Sequence, residues 1–82
     1  MQIYSIKFKK DTLKFINSRS PKERQRIFNA VYKLPYAKHV KKMQGYENRY
    51  RLRIGNVRVQ YERYDDVFIV LVIKADNRGD AY

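Results

Sequence analysis

The 82-residue chain has no cysteine, no tryptophan, one histidine, two prolines and three glycines. Without cysteine there is neither a disulfide framework nor a thiolate metal site, and His39 alone cannot build a histidine-based metal cluster. These absences fit a reducing, cytoplasmic setting and a protein without cofactor or metal. Long apolar runs are also missing. The longest, Val67 to Ile73, is far too short to cross a bilayer, and the N-terminal MQIYSIKFKK alternates where a secretory signal would be continuously apolar. Negative charge is scarce too, with 8 Asp and Glu against 19 Lys and Arg, a formal net charge of +11. The surplus extends from Lys7 to Arg63, so it belongs to the folded body and not to a basic tail. Such self-repulsion points to a polyanionic partner, nucleic acid or an acidic protein. A surface made soluble by lysine is the plainer reading.

With 44% hydrophobic residues, the chain supports a single domain over residues 1–82 with a modest core. Gln2 to Phe8 alternates, with Tyr4, Ile6 and Phe8 on one side, and predicts a half-buried strand. Asp11 to Asn17 carries Leu13 and Ile16 three apart and predicts a short helix. Ser20-Pro21-Lys22-Glu23 reads as a capping box with proline at the first helical position. The helix it starts has Ile27, Val31 and Leu34 on one stripe and should stop before Pro35. Residues 35 to 48 have no clean period and read as an ordered connector held by Val40 and Met43.

Three strands follow: Arg49 to Ile54, Val57 to Tyr64, and Val67 to Ile73. Gly55-Asn56 and Asp65-Asp66 separate them as two-residue hairpin loops. The last strand is apolar throughout, so it should lie mid-sheet and be buried on both faces. The tail, KADNRGDAY, is polar until Tyr82. The expected fold is α+β: an N-terminal strand, two helices as an α-hairpin, then three antiparallel strands, forming a four-stranded antiparallel sheet with the helices on one face.

A two-residue loop at Gly55-Asn56 sets the hairpin register. Arg53 then faces Arg58, Arg51 faces Gln60, and Arg49 faces Glu62. One face collects Tyr50, Leu52, Ile54, Val57, Val59 and Tyr61, a core face on which the two tyrosines are packing residues. The other collects Arg49, Arg51, Arg53, Arg58, Gln60 and Glu62. Glu62 is assigned to Arg49, which leaves the three inner arginines without a partner. Guanidinium offers a rigid fork of donors matched to phosphate oxygens, so this cluster is a candidate phosphate site. A solvated sheet face is the alternative.

The run KKMQGYENRYRLRIGNVRVQYER and the ending NRGDAY resemble the RelE/ParE superfamily of bacterial toxins. The first is similar to the family's K-K-L-x-G segment, its Y-R-[IL]-R strand and its G-[ND]-Y-R-V-x-Y hairpin return. The second is similar to its C-terminal H-R-x-x-[VI]-Y. The resemblance spans nearly the whole chain and implies a RelE-like mRNA interferase, a ribosome-dependent endoribonuclease that cuts mRNA in the ribosomal A site. In that chemistry the ribose 2′-hydroxyl attacks the adjacent phosphate without a metal. The implied partners are the ribosome with its mRNA and a cognate acidic antitoxin.

Carried over by position, the resemblance assigns the catalytic site to Arg51, Arg53, Arg58, Arg78 and Tyr82. Arg53, Arg58 and Arg78 would hold the scissile phosphate, and Tyr82 would stack on or position a base. RNA contacts fall to His39, Lys41, Lys42 and Arg49, within a diffuse ribosomal footprint that includes Lys7, Lys9, Lys10, Lys14 and Lys38. Two departures stand out. Arg51 and Arg53 replace the lysine common on that strand, and guanidinium is a poor general base. Asn77 stands where many relatives carry histidine. The base stays open between Glu47, Glu62 and water in the ribosomal site. Two other readings share the fold: a ParE-like, non-enzymatic toxin acting on DNA gyrase, and a degenerate nucleic-acid-binding protein.

Overall fold

In the computed structural model, which describes residues 2–77, the elements run β1 (Ser5–Phe8), α1 (Lys10–Asn17), α2 (Pro21–Val31), β2 (Val40–Lys42), β3 (Arg49–Ile54), β4 (Val57–Tyr64) and β5 (Ile69–Asn77). The strands form one sheet in the order β1-β5-β4-β3-β2. Tyr4, Ile6 and Phe8 point inward as their alternation predicts, while Ser5 and Lys7 are exposed. The Ser20 hydroxyl caps α2 by accepting the Glu23 backbone N–H at 3.3 Å. The Glu23 carboxylate is engaged by Arg19 Nε at 2.7 Å.

The α+β class stands, but the expected four-stranded antiparallel sheet is corrected to a mixed sheet of five. The additional strand, β2, lies inside the presumed connector. Three residues are too few to display a period, yet β2 supplies what the outer edge of β3 needs. Met43 N–H donates to the Arg49 carbonyl at 2.9 Å, and Arg53 N–H donates to the His39 carbonyl at 3.2 Å. Strand β1 pairs parallel to β5, with Ile6 beside Val70 and Phe8 beside Val72. This alignment puts Ile6, Phe8, Val70 and Val72 together on the helix side.

Strand β5 is also corrected. It is flanked by β1 and β4, as a mid-sheet strand should be, but only Val70 and Val72 are buried, while Ile69, Leu71 and Ile73 are half-exposed. It starts later and ends later than its apolar run. The connection from β4 is four residues long, not two, with Tyr64 opposite Ile69 and Phe68 at φ +54°. Val67 and Phe68 are exposed in that turn. Asp65 ties it down, accepting from the Tyr4 hydroxyl at 2.7 Å and from Arg63 Nε at 2.6 Å.

Helix α2 ends at Val31, short of the expected Leu34, and its last turn tightens through Leu34 N–H to the Val31 carbonyl at 3.0 Å. Leu34 is nonetheless buried with Ile27 and Val31, so the stripe survives the early stop. These residues and Ile16 pack on Leu52, Val57, Val59, Tyr61, Val70 and Val72. Both helices therefore cover one face of the sheet, and among the described residues nothing covers the other. Among the described residues no helix is long and apolar enough to cross a membrane.

Candidate functional site

The hairpin register is the one expected, pair by pair from Arg49 opposite Glu62 to Ile54 opposite Val57. Its loop needs a left-handed residue, and Gly55 provides it at φ +57°. The Arg26 guanidinium of α2 lies over Gly55, with Nη2 3.2 Å from where a Cβ would sit. The alternation sends Tyr50, Leu52, Ile54, Val57, Val59 and Tyr61 toward the helices. Tyr50 and Tyr61 stack with ring centroids 5.5 Å apart, and burial pushes the Tyr61 phenol up to about 12. They are packing residues, as expected.

On the uncovered face, two rows of side chains cross the sheet. In one, Lys41 of β2 faces Arg51, which faces Gln60, which faces Lys74. In the other, Arg53 faces Arg58, which faces Asp76. Lys41, Arg51, Arg53 and Lys74 are exposed, while Arg58 and Asp76 are half-buried. The Arg53 backbone N–H points away toward β2, so Arg53 and Arg58 form a narrow, non-hydrogen-bonded pair, the kind that brings opposed side chains closest. The structure thus gathers Arg51, Arg53, Arg58 and Lys41 on one open surface.

The expectation that all three inner arginines lack a partner is overturned for Arg58. Its Nε donates to Asp76 Oδ1 at 3.1 Å, with both side chains 38% exposed. Asp76 was hidden because β5 continues past its apolar run through Lys74, Ala75, Asp76 and Asn77. A slip between Gln60 and Tyr61 leaves Ile73 unmatched and resets the alternation, so that Asp76 lands on the arginine face. Lys74 reaches the same face in the same way, and neither was singled out from the sequence. The one available signal was the return of alternation after Ile73.

The other expected contacts fall in different places. Arg49 is held by Glu62 Oε2 at 3.0 Å, and its guanidinium carbon lies 4.3 Å from the Tyr46 ring centroid. Lys42 pairs with Tyr50, on the opposite side of the strand from Lys41, and lines a groove with Lys41, Gly45, Tyr46 and Arg51. His39, at φ +63°, lies at the sheet edge and lines a groove with Arg26, Lys38 and Arg53. Among the base candidates, Glu62 is the least suited to take a proton. Hydrogen bonds from Tyr64, at 2.7 Å, and from Arg49 hold its carboxyl below the usual carboxylate range. Glu47 is exposed in the loop before β3. Asn77 pairs with Val57 on the helix side and lines a small cavity with Glu23, Arg26 and Ile27. It therefore does not face the arginines. Arg78 and Tyr82 lie outside the described residues.

No protein-family model matches the chain, and no curated protein does. Solved structures match closely in shape. The archaeal RelE of the RelE-RelB complex from Pyrococcus horikoshii OT3 superposes with a TM-score of 0.79 at 26% identity, over 98% of this chain and 100% of that one. A chain of the RelB-RelE antitoxin-toxin complex from Methanococcus jannaschii gives 0.74 at 26% identity, covering 93% and 94%. The isolated E. coli RelE toxin gives 0.76 at 19% identity, covering 90% and 83%. The superpositions cover 90% or more of this chain in each case. The chain thus has a RelE-like fold, similar from end to end to these RelE structures.

Proposed function

We propose that the protein is the toxin of a toxin-antitoxin pair, an endoribonuclease that cuts mRNA in the ribosomal A site and so arrests translation in the cytoplasm. The observation that carries this reading is the uncovered sheet face, where Arg51, Arg53, Arg58 and Lys41 converge beside a bare hairpin. A solvent-facing sheet surface needs no such density of guanidinium, and opposed like charges weaken it. A phosphodiester bound there would be held by Arg53 and Arg58, whose donors also suit the extra negative charge of a pentavalent phosphate. Arg51 and Lys41 extend the surface along the RNA backbone. Arg78 and Tyr82 are assigned to the same site on family resemblance. The reaction is 2′-hydroxyl attack on the adjacent phosphate with departure of the 5′-oxygen, for which these groups supply positioning and charge without a metal.

An acidic antitoxin is the proposed regulator. The structural neighbours include RelE-RelB complexes, and a net charge of +11 favours a partner of opposite sign that orders as it binds. The test is to map cleavage of a defined mRNA on programmed ribosomes. Wild-type protein should cut within the A-site codon, and Arg58→Ala should abolish the cuts. A folded wild-type protein that leaves the mRNA intact refutes the endonuclease reading and returns the gyrase-directed and degenerate readings to the front.

A further inference from the structure

Among the described strand residues, the uncovered face carries two carboxylates, Glu62 and Asp76. Glu62 has both oxygens engaged, one by Arg49 and the other by Tyr64. Asp76 accepts from Arg58 Nε, and its side chain is 38% exposed. An ionised carboxylate has about four acceptor positions, so the one donor found among the described residues leaves room for a hydroxyl to donate to it. Its place in the fold is specific. Arg53, Arg58 and Asp76 stand in one row across β3, β4 and β5, two cations followed by a carboxylate, at the strand spacing of about 4.8 Å. A phosphate bridging Arg53 and Arg58 would have Asp76 as the next side chain along the same row.

We infer that Asp76 is the general base that takes the proton of the attacking 2′-hydroxyl, held at the edge of the phosphate site by Arg58. The assignment rests on the endonuclease reading. As the 2′-oxygen forms its bond to phosphorus, its proton moves to an Asp76 carboxylate oxygen, and the bond from phosphorus to the 5′-oxygen breaks. The leaving 5′-oxygen takes a proton from water. The hydroxide so formed is neutralised by the proton that Asp76 then releases. The products are a 2′,3′-cyclic phosphate and a 5′-hydroxyl, and the carboxylate is regenerated.

The test is single-turnover cleavage on programmed ribosomes at saturating protein, for wild type, Asp76→Asn, Asp76→Ala, Asp76→Glu and Arg58→Ala. Binding to ribosomes carrying a 2′-deoxy A-site codon is measured in parallel. Loss of a general base predicts a fall of about 10²–10⁴-fold in the rate of Asp76→Asn and Asp76→Ala. Their affinity for the 2′-deoxy complex should remain within a few-fold of wild type, and Asp76→Glu should recover part of the rate. Added formate should accelerate Asp76→Ala and leave Arg58→Ala inactive. Cleavage by Asp76→Asn at the wild-type rate or faster overturns the assignment and leaves the carboxylate as a counter-ion that lowers phosphate affinity. Failure of formate to rescue a folded Asp76→Ala also overturns it. If wild type cuts, Arg58→Ala does not, and Asp76→Asn is unimpaired, the assignment falls while the endonuclease reading survives. If wild type does not cut, both fall.

Discussion

Replacing Arg53 with glutamine should make the protein more stable and a worse RNA binder. Arg53 and Arg58 are directly opposed in a narrow pair of the hairpin, where Cα atoms stand about 4.5 Å apart. Side chains that splay to about 6–8 Å in water still repel by about 0.5–0.7 kcal/mol, within the range measured for like charges across strands. The half-buried Arg58–Asp76 pair, still 38% exposed in both side chains, returns less than about 1 kcal/mol. Glutamine preserves the length of the side chain and removes the charge. Arg53→Gln should therefore gain about 0.5–0.7 kcal/mol, a rise of about 2–6 °C in the unfolding midpoint of a domain this size. The gain should shrink in 1 M salt, where the screening length falls to about 3 Å. Affinity for RNA should drop, and the slope of log affinity against log salt should lose about 0.7–0.9. Urea unfolding at two salt concentrations and a salt titration of RNA binding measure both effects. A variant destabilised by more than about 0.5 kcal/mol with unchanged RNA affinity would refute the reasoning, because Arg53 would then be serving the fold.

Gly55→Ala should cost about 1–2 kcal/mol in urea unfolding, because its φ of +57° is strained for an L side chain and Arg26 crowds the new Cβ; Gly55→Asn should cost less. Ser20→Ala should cost about 1 kcal/mol by removing the cap from Glu23 N–H, read as a lower midpoint of thermal unfolding. Leu52→Ala, in the centre of the core, should cost about 2–5 kcal/mol in the same assay. Glu62 and Asp65 both have carboxyls lowered by hydrogen bonds, from Tyr64 and then Arg49 for the first, and from Tyr4 and then Arg63 for the second. Since the folded values are depressed, their contribution is complete above the ordinary values of 4.5 and 3.8 and is lost as pH falls through the lower folded values. Stability should therefore decline below about pH 4.5, less steeply in Glu62→Gln and Asp65→Asn, as acid titration monitored by circular dichroism will tell.

The hairpin was legible in full because a two-residue Gly-Asn loop fixes the register and a strict alternation fixes the faces. Once those are set, Arg51, Arg53 and Arg58 must share a surface, whatever the rest of the chain does. The α2 cap and stripe were legible for the same reason, since their signals are local. What failed was long-range or interrupted. Val40–Lys42 is too short to display a period, and only the unpaired edge of β3 explains why it is a strand. The parallel pairing of β1 with β5 joins residues more than sixty positions apart. Val67 and Phe68 read as strand by composition but lie exposed in a turn. The slip at Gln60 and Tyr61 broke the alternation just where β5 turns polar, which concealed Lys74 and Asp76 beside the arginines.

The most direct test of the account is the single-turnover cleavage rate of Arg51→Ala, Arg53→Ala and Arg58→Ala on programmed ribosomes, set against Lys22→Ala on exposed α2, the helix on the other side of the sheet. The uncovered face as the catalytic surface predicts losses of about 10²-fold or more for Arg53→Ala and Arg58→Ala, the size expected when groups that stabilise the transition-state charge are removed, and a smaller loss for Arg51→Ala. Lys22→Ala should stay within about twofold of wild type, as an isolated surface charge does. Small, similar losses at all four positions would contradict the account, since the arginine face would then be one more part of a diffuse basic surface.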